Sequence, residues 1–139
     1  MPYLQAQTDA LTQVLNHATN LKAHRLAGYV ANLDFWVQEI QHCLGSIEGY
    51  GARFQRMKQG TADYLRAHPD EHGQPPNEGY LYDGDTLTTH SIRDPDLKEL
   101  RTTLQQSASR FFRRCYKAGL ISLDTIEDAE KSLGFRLRT

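Results

Sequence analysis

Glu39 and His42 stand three apart in the run Glu39-Ile40-Gln41-His42. On a helix that spacing lets both side chains reach one metal ion, and di-iron helical bundles use the Glu-x-x-His unit twice to hold their metals. This chain carries the unit once, with both residues off the apolar seam of the helix they would occupy. Two solvated polar residues account for them, and a metal-binding bundle is the third functional reading. His68 and His72 are four apart, but Pro69, Gly73, Pro75 and Pro76 place them in a loop, where helical ligand geometry does not hold. His17 and His24 share a face only if no turn separates them. Asp83-Gly84-Asp85 opens like a calcium loop with Asp94 at its twelfth place, yet Leu87 and Thr88 sit where an oxygen ligand and a glycine are required. No catalytic, cofactor-binding or metal-ligating residue is assigned on these grounds, and no cofactor is expected.

Charge is the more substantial chemical signal. Arg110, Arg113, Arg114 and Lys117 fall on one broad helical face beside Phe112 and Tyr116, and residues 97–118 carry six basic side chains against Glu99 alone. Such a stripe suits nucleic acid or another acidic partner, through phosphate neutralisation and aromatic stacking. Two plainer accounts compete with it. Cations in the last turns of a helix complement its dipole, and the acidic segment 68–96, seven carboxylates against Arg93, can fold over the stripe. Binding through these four residues is therefore the second reading and not the favoured one. A helix-turn-helix is opposed by Asp124, Glu127, Asp128 and Glu130, which would meet phosphates with the wrong sign. Cys43 and Cys115 have neither metal-pair nor disulfide-framework spacing and are expected to act as small buried hydrophobes. The sequence holds no phosphate-cradling glycine loop, nucleophile elbow or dinucleotide fingerprint.

The scaffold for these residues is bounded by composition. With 139 residues, 39% apolar and 24% charged, the chain is expected to form a single helical domain over 1–139, polar enough to be elongated. The net charge of -1 excludes global steering onto nucleic acid or anionic lipid. No apolar run approaches the roughly 20 residues that cross a bilayer, and MPYLQAQTDA has neither the basic start nor the apolar core of a signal peptide. A cytoplasmic protein without membrane contact is expected.

Apolar residues recur every seven positions from about Leu26 to Leu65. With Leu26 as position a, Leu33, Ile40, Ile47 and Phe54 also fill a, while Tyr29, Trp36, Cys43, Tyr50, Met57 and Tyr64 fill d. Val30, Val37, Leu44 and Leu65 at e complete the apolar face of a core-facing helix. The back of the repeat is polar except for Phe35, and Gly49 to Gly51 mark the natural place for a kink. The pattern predicts one long central helix over about 22–66, preceded by a separate helix over about 3–19 with a turn near Asn20 to His24. From about 68 to 94 prolines and glycines predict a loop, within which Asp83-Gly84-Asp85 suits the tight turn of a small β-hairpin. Pro95 after Asp94 opens a third helix ending near Gly119, and Asp124 with Glu127 marks the start of the last, which ends at Gly134.

The fold expected is thus all-α, an elongated bundle with one long central helix, a hairpin-bearing loop and two C-terminal helices. An unbroken helix of that length measures roughly 65 Å, against about 35 to 40 Å for a compact domain of this size. Either the Gly49 to Gly51 segment bends the helix back or a second copy covers its surplus apolar stripe, and the leading reading is a non-enzymatic interaction module. It is expected to self-associate, most simply as a dimer, through Tyr29, Trp36, Tyr50, Met57 and Tyr64, residue types that dominate interface energetics.

Overall fold

The computed structural model describes residues 2–67, 80–83, 86–89 and 94–137, with side chains described over 4–52 and 96–137. The chain is an all-helical bundle: α1 (Pro2–Thr19), α2 (Ala23–Val30), α3 (Leu33–Ala67), α4 (Asp94–Lys117) and α5 (Leu123–Leu133). Between α3 and α4 two four-residue segments, β1 (Tyr80–Asp83) and β2 (Thr86–Thr89), pair antiparallel with Tyr80 opposite Thr89, and β1 lies beside α3. No helix among the described residues is long and apolar enough to cross a membrane.

The helix expected over about 22–66 is two elements. After Val30 the chain leaves the helix at Ala31 and Asn32, where the Asn32 amide donates to the Tyr29 carbonyl at 3.1 Å, one residue short of helical pairing. The Asn32 Nδ2 takes the Gly28 carbonyl at 3.4 Å. A short amide side chain that satisfies a backbone carbonyl competes with the helix, and Gly28 adds backbone freedom beside it. From Leu33 the new helix runs 35 residues, about 52 Å, and continues through Gly49 to Gly51 without interruption.

Packing follows the apolar stripes. Leu26, Ile40, Cys43 and Leu44 meet Leu11, Leu15 and Ala18 of α1, Leu104, Phe111 and Phe112 of α4, and Ile126 and Leu133 of α5 in the main core. A second cluster joins Leu4, Ile47, Leu97 and Leu100, with Tyr50 against it. Leu4 meets Leu97 and Leu100 here, while Asn16 accepts a bond from Arg110 and the Leu21 carbonyl one from Arg114, so α1 and α4 run parallel. α3 runs against both, since its Ile47 and Tyr50 reach the end where α1 and α4 begin.

A Cβ at Gly51 would stand 3.8 Å from Leu97 Cδ1, so Gly51 marks the level of Leu97. α1 and α4 start only two and three residues before Leu4 and Leu97, whereas α3 continues 16 residues past Gly51, roughly 24 Å. The second half of α3 projects beyond the helices that cover the first half.

The C-terminal helices end as glycine allows. Gly119 has φ +74°, and the bonds Gly119 N to Tyr116 O and Leu120 N to Cys115 O close α4 as a Schellman motif. Gly134, at φ +80°, donates to the Glu130 carbonyl at 2.8 Å and ends α5. At the start of α5 the expected Asp124 cap gives way to Ser122, whose hydroxyl accepts from the Thr125 amide at 3.2 Å, and Asp124 sits in the first turn.

Candidate functional site

Among the described residues the metal constellations do not assemble. Glu39 is half-buried and His42 exposed, His17 and His24 are exposed, and among the described residues no three His, Cys, Asp or Glu side chains are grouped to hold a metal ion. His68, His72, Gly84 and Asp85 lie outside the described residues. Nor do the cysteines suit nucleophilic chemistry. Both are buried, and burial pushes the Cys115 thiol up to about 11 against the lowering pull of Arg114. Burial raises Cys43 as well, reinforced by the nearby Glu39 carboxylate.

The candidate self-association residues divide along α3. Tyr29, Trp36 and Tyr50 are half-buried and pack on the protein's own core; Met57 and Tyr64 stand on the projecting half, where side chains lie outside the described residues. At the α2–α3 corner Tyr29 stacks on Trp36 with ring centroids 5.5 Å apart, and Phe35 meets Trp36 edge-on at 4.9 Å. Phe35 stays 51% exposed, which makes it the solvent face of a three-ring cluster. Sequence reading set Phe35 aside as an exception on the polar back of the helix. That misplacement was itself the signal, because a large apolar residue outside its own stripe has no reason in the core.

The basic face also divides. Arg114 donates to the Leu21 carbonyl at 3.2 Å, just beyond the end of α1, and serves the chain's own backbone there. Lys117 is exposed in the last turn of α4. Arg110 and Arg113 line a groove of about 480 Å³, and Phe135 and Arg136, from the segment after α5, complete it. Arg110 donates to Asn16 Oδ1 at 3.3 Å and Ser107 Oγ at 3.2 Å, neutral partners that position the guanidinium without cancelling its charge. No carboxylate lines this groove among the described residues. A second cavity, about 300 Å³ between α1 and α4, has the opposite character, bordered by Asp9, Asp96 and Glu99. Arg136 and Phe135 escaped sequence reading because they follow the last periodic element. The acidic segment expected to cover the stripe is described only over 80–83, 86–89 and 94–96, its side chains at Asp96 alone.

No family model, no curated protein and no solved structure matches the chain. Its functional reading rests on this geometry.

Proposed function

We propose that this protein is a helical interaction module whose α3 pairs antiparallel with the α3 of a second copy. The projection of α3 roughly 24 Å past Gly51 carries the reading. The two ends of that helix are complementary in need. One holds the aromatic corner where exposed Phe35 overlies half-buried Tyr29 and Trp36; the other extends Phe54, Met57, Tyr64 and Leu65 past the cover of α1 and α4. A two-fold axis across α3 would set each corner against the opposite copy's projection, as a self-complementary dimer interface requires. β1 of the same chain packs beside α3 and flanks the helix in this reading. Enzymatic chemistry has no part in it.

Trp36 is the only tryptophan and so reports on the corner. It lies 28 residues from Tyr64 along α3, roughly 42 Å, too far for contact within one chain. Tyr64→Asp is expected to red-shift Trp36 emission, because it removes cover supplied by the other copy. Emission unchanged by Tyr64→Asp, with helicity intact, contradicts the proposal.

A second reading, anionic-partner binding by the basic face, is favoured by one observation: Arg110 and Arg113 share their groove with a third arginine, Arg136. In this form it loses Arg114 and Lys117 and gains Arg136.

A further inference from the structure

The segment after α5 is short, yet it is fixed at both ends. Gly134 turns the chain out of α5 in the left-handed conformation. Three residues on, the Leu137 amide donates to Glu130 Oε2 at 2.9 Å, and the Leu137 side chain is buried in the main core at 2% exposure. Phe135 and Arg136 are held between these anchors, with Phe135 half-buried against the core and Arg136 exposed. Their positions over α4 are therefore set by packing and a charge-assisted hydrogen bond. Binding there would not first require an arginine-bearing tail to be ordered.

We infer that the groove formed by Arg110, Arg113, Phe135 and Arg136 binds a nucleotide unit, a phosphate joined to a planar base. This rests on the second reading above and names its ligand. Among the described residues three arginines and no carboxylate line the groove, while Glu127 and Glu130 share a neighbouring cavity with Phe135 and Arg136; the planar forks of Arg110 and Arg136 match the phosphate oxygens of an anion. Phe135 distinguishes this ligand from an inorganic anion, because an aromatic side chain beside cations is the platform on which bases stack. Gln105 and Gln106 also line the groove, and an amide offers both donors and an acceptor to a base edge. At about 480 Å³ the groove is within the range of about 300 to 1,000 Å³ common to small-ligand sites. The same unit is presented by a free nucleotide and by a single strand of nucleic acid. It is not presented by an acidic peptide.

The test measures binding of the full chain to adenosine monophosphate by calorimetry, and to a fluorescein-labelled oligothymidylate by anisotropy with polyglutamate as competitor. Arg136→Glu and Phe135→Ser are compared with the parent, helicity and melting being checked for each. The expected result is binding of at least one of the two probes, weakened about tenfold or more by Arg136→Glu and severalfold by Phe135→Ser. Polyglutamate at equal charge should compete poorly. Binding of both probes assigns the free nucleotide as sufficient, and binding of the oligonucleotide alone assigns the strand. Oligonucleotide binding indifferent to both variants overturns the groove while leaving a basic-face reading in place. Polyglutamate competing as well as nucleic acid overturns the nucleotide assignment, and no binding to either probe at low salt overturns the groove and the second reading together.

Discussion

Thr8 and Thr12 place their hydroxyl oxygens inside the α1–α4 seam, buried and without a hydrogen-bond partner, on the wall of the cavity bordered by Asp9, Asp96 and Glu99. Thr8 is 1% exposed, so its oxygen costs the folded state without return. Replacing an unsatisfied buried polar group with an apolar one of the same shape removes that cost. Thr8→Val should therefore stabilise the protein by about 1 kcal/mol, raising Tm by about 3 to 5 °C, in a thermal melt followed by circular dichroism. A lower Tm would mean that the hydroxyl has a partner after all. Cys115 gives a second residue-scale prediction. Its thiol is raised from the ordinary 9.0 to about 11 in the fold, so the unfolded chain loses the proton first. The stability from keeping it neutral is fully present below 9.0 and is lost as pH climbs from there to about 11. Urea midpoints over that window should fall more steeply for the parent than for Cys115→Ala. The sequence made burial of both cysteines legible through their place on apolar stripes. It left the orphan hydroxyls hidden, because threonine at an inward helical position looks the same whether or not its oxygen finds a partner.

At the scale of elements, apolar spacing located α1, α4 and α5, and the glycines that end the last two stand where left-handed backbone is required. Gly134→Ala should cost about 1 kcal/mol by forcing a Cβ into that conformation. If the anchored segment orders the groove, the same change should also weaken any anion held by Arg136. A chemical-denaturation curve measures the first effect and binding titration the second. Ser122→Ala should cost about 1 kcal/mol through loss of the α5 cap. The break between α2 and α3 was not legible, for a physical reason. Leu26 is buried in the main core and Leu33 packs against it, so the seven-residue repeat continues across the turn. Ala31 and Asn32 fall at polar positions of that repeat, where apolar periodicity carries no information. Gly49 to Gly51 misled in the opposite direction: α3 runs through them, with Gly51 close to Leu97. Asp124 likewise looked like a cap, while Ser122 two residues earlier takes the role.

For the whole molecule, the question is what covers the far half of α3. Within the chain, α1, α4 and α5 bury Ile40, Cys43, Leu44 and Ile47, which accounts for the repeat up to about Tyr50 as ordinary core. Sequence reading could not separate that covered half from the projecting one, since the repeat is continuous and only tertiary packing fixes where α1 and α4 begin against it. Phe35 is the better probe of assembly than Trp36. A charge at Trp36 would be driven into the core that Trp36 packs on, whereas Phe35 is already 51% exposed and Phe35→Asp leaves the fold intact. Sedimentation equilibrium at micromolar concentration measures assembly without a label. The account predicts twice the 15.9 kDa chain mass for the parent and 15.9 kDa for Phe35→Asp. A parent that sediments at 15.9 kDa throughout contradicts it.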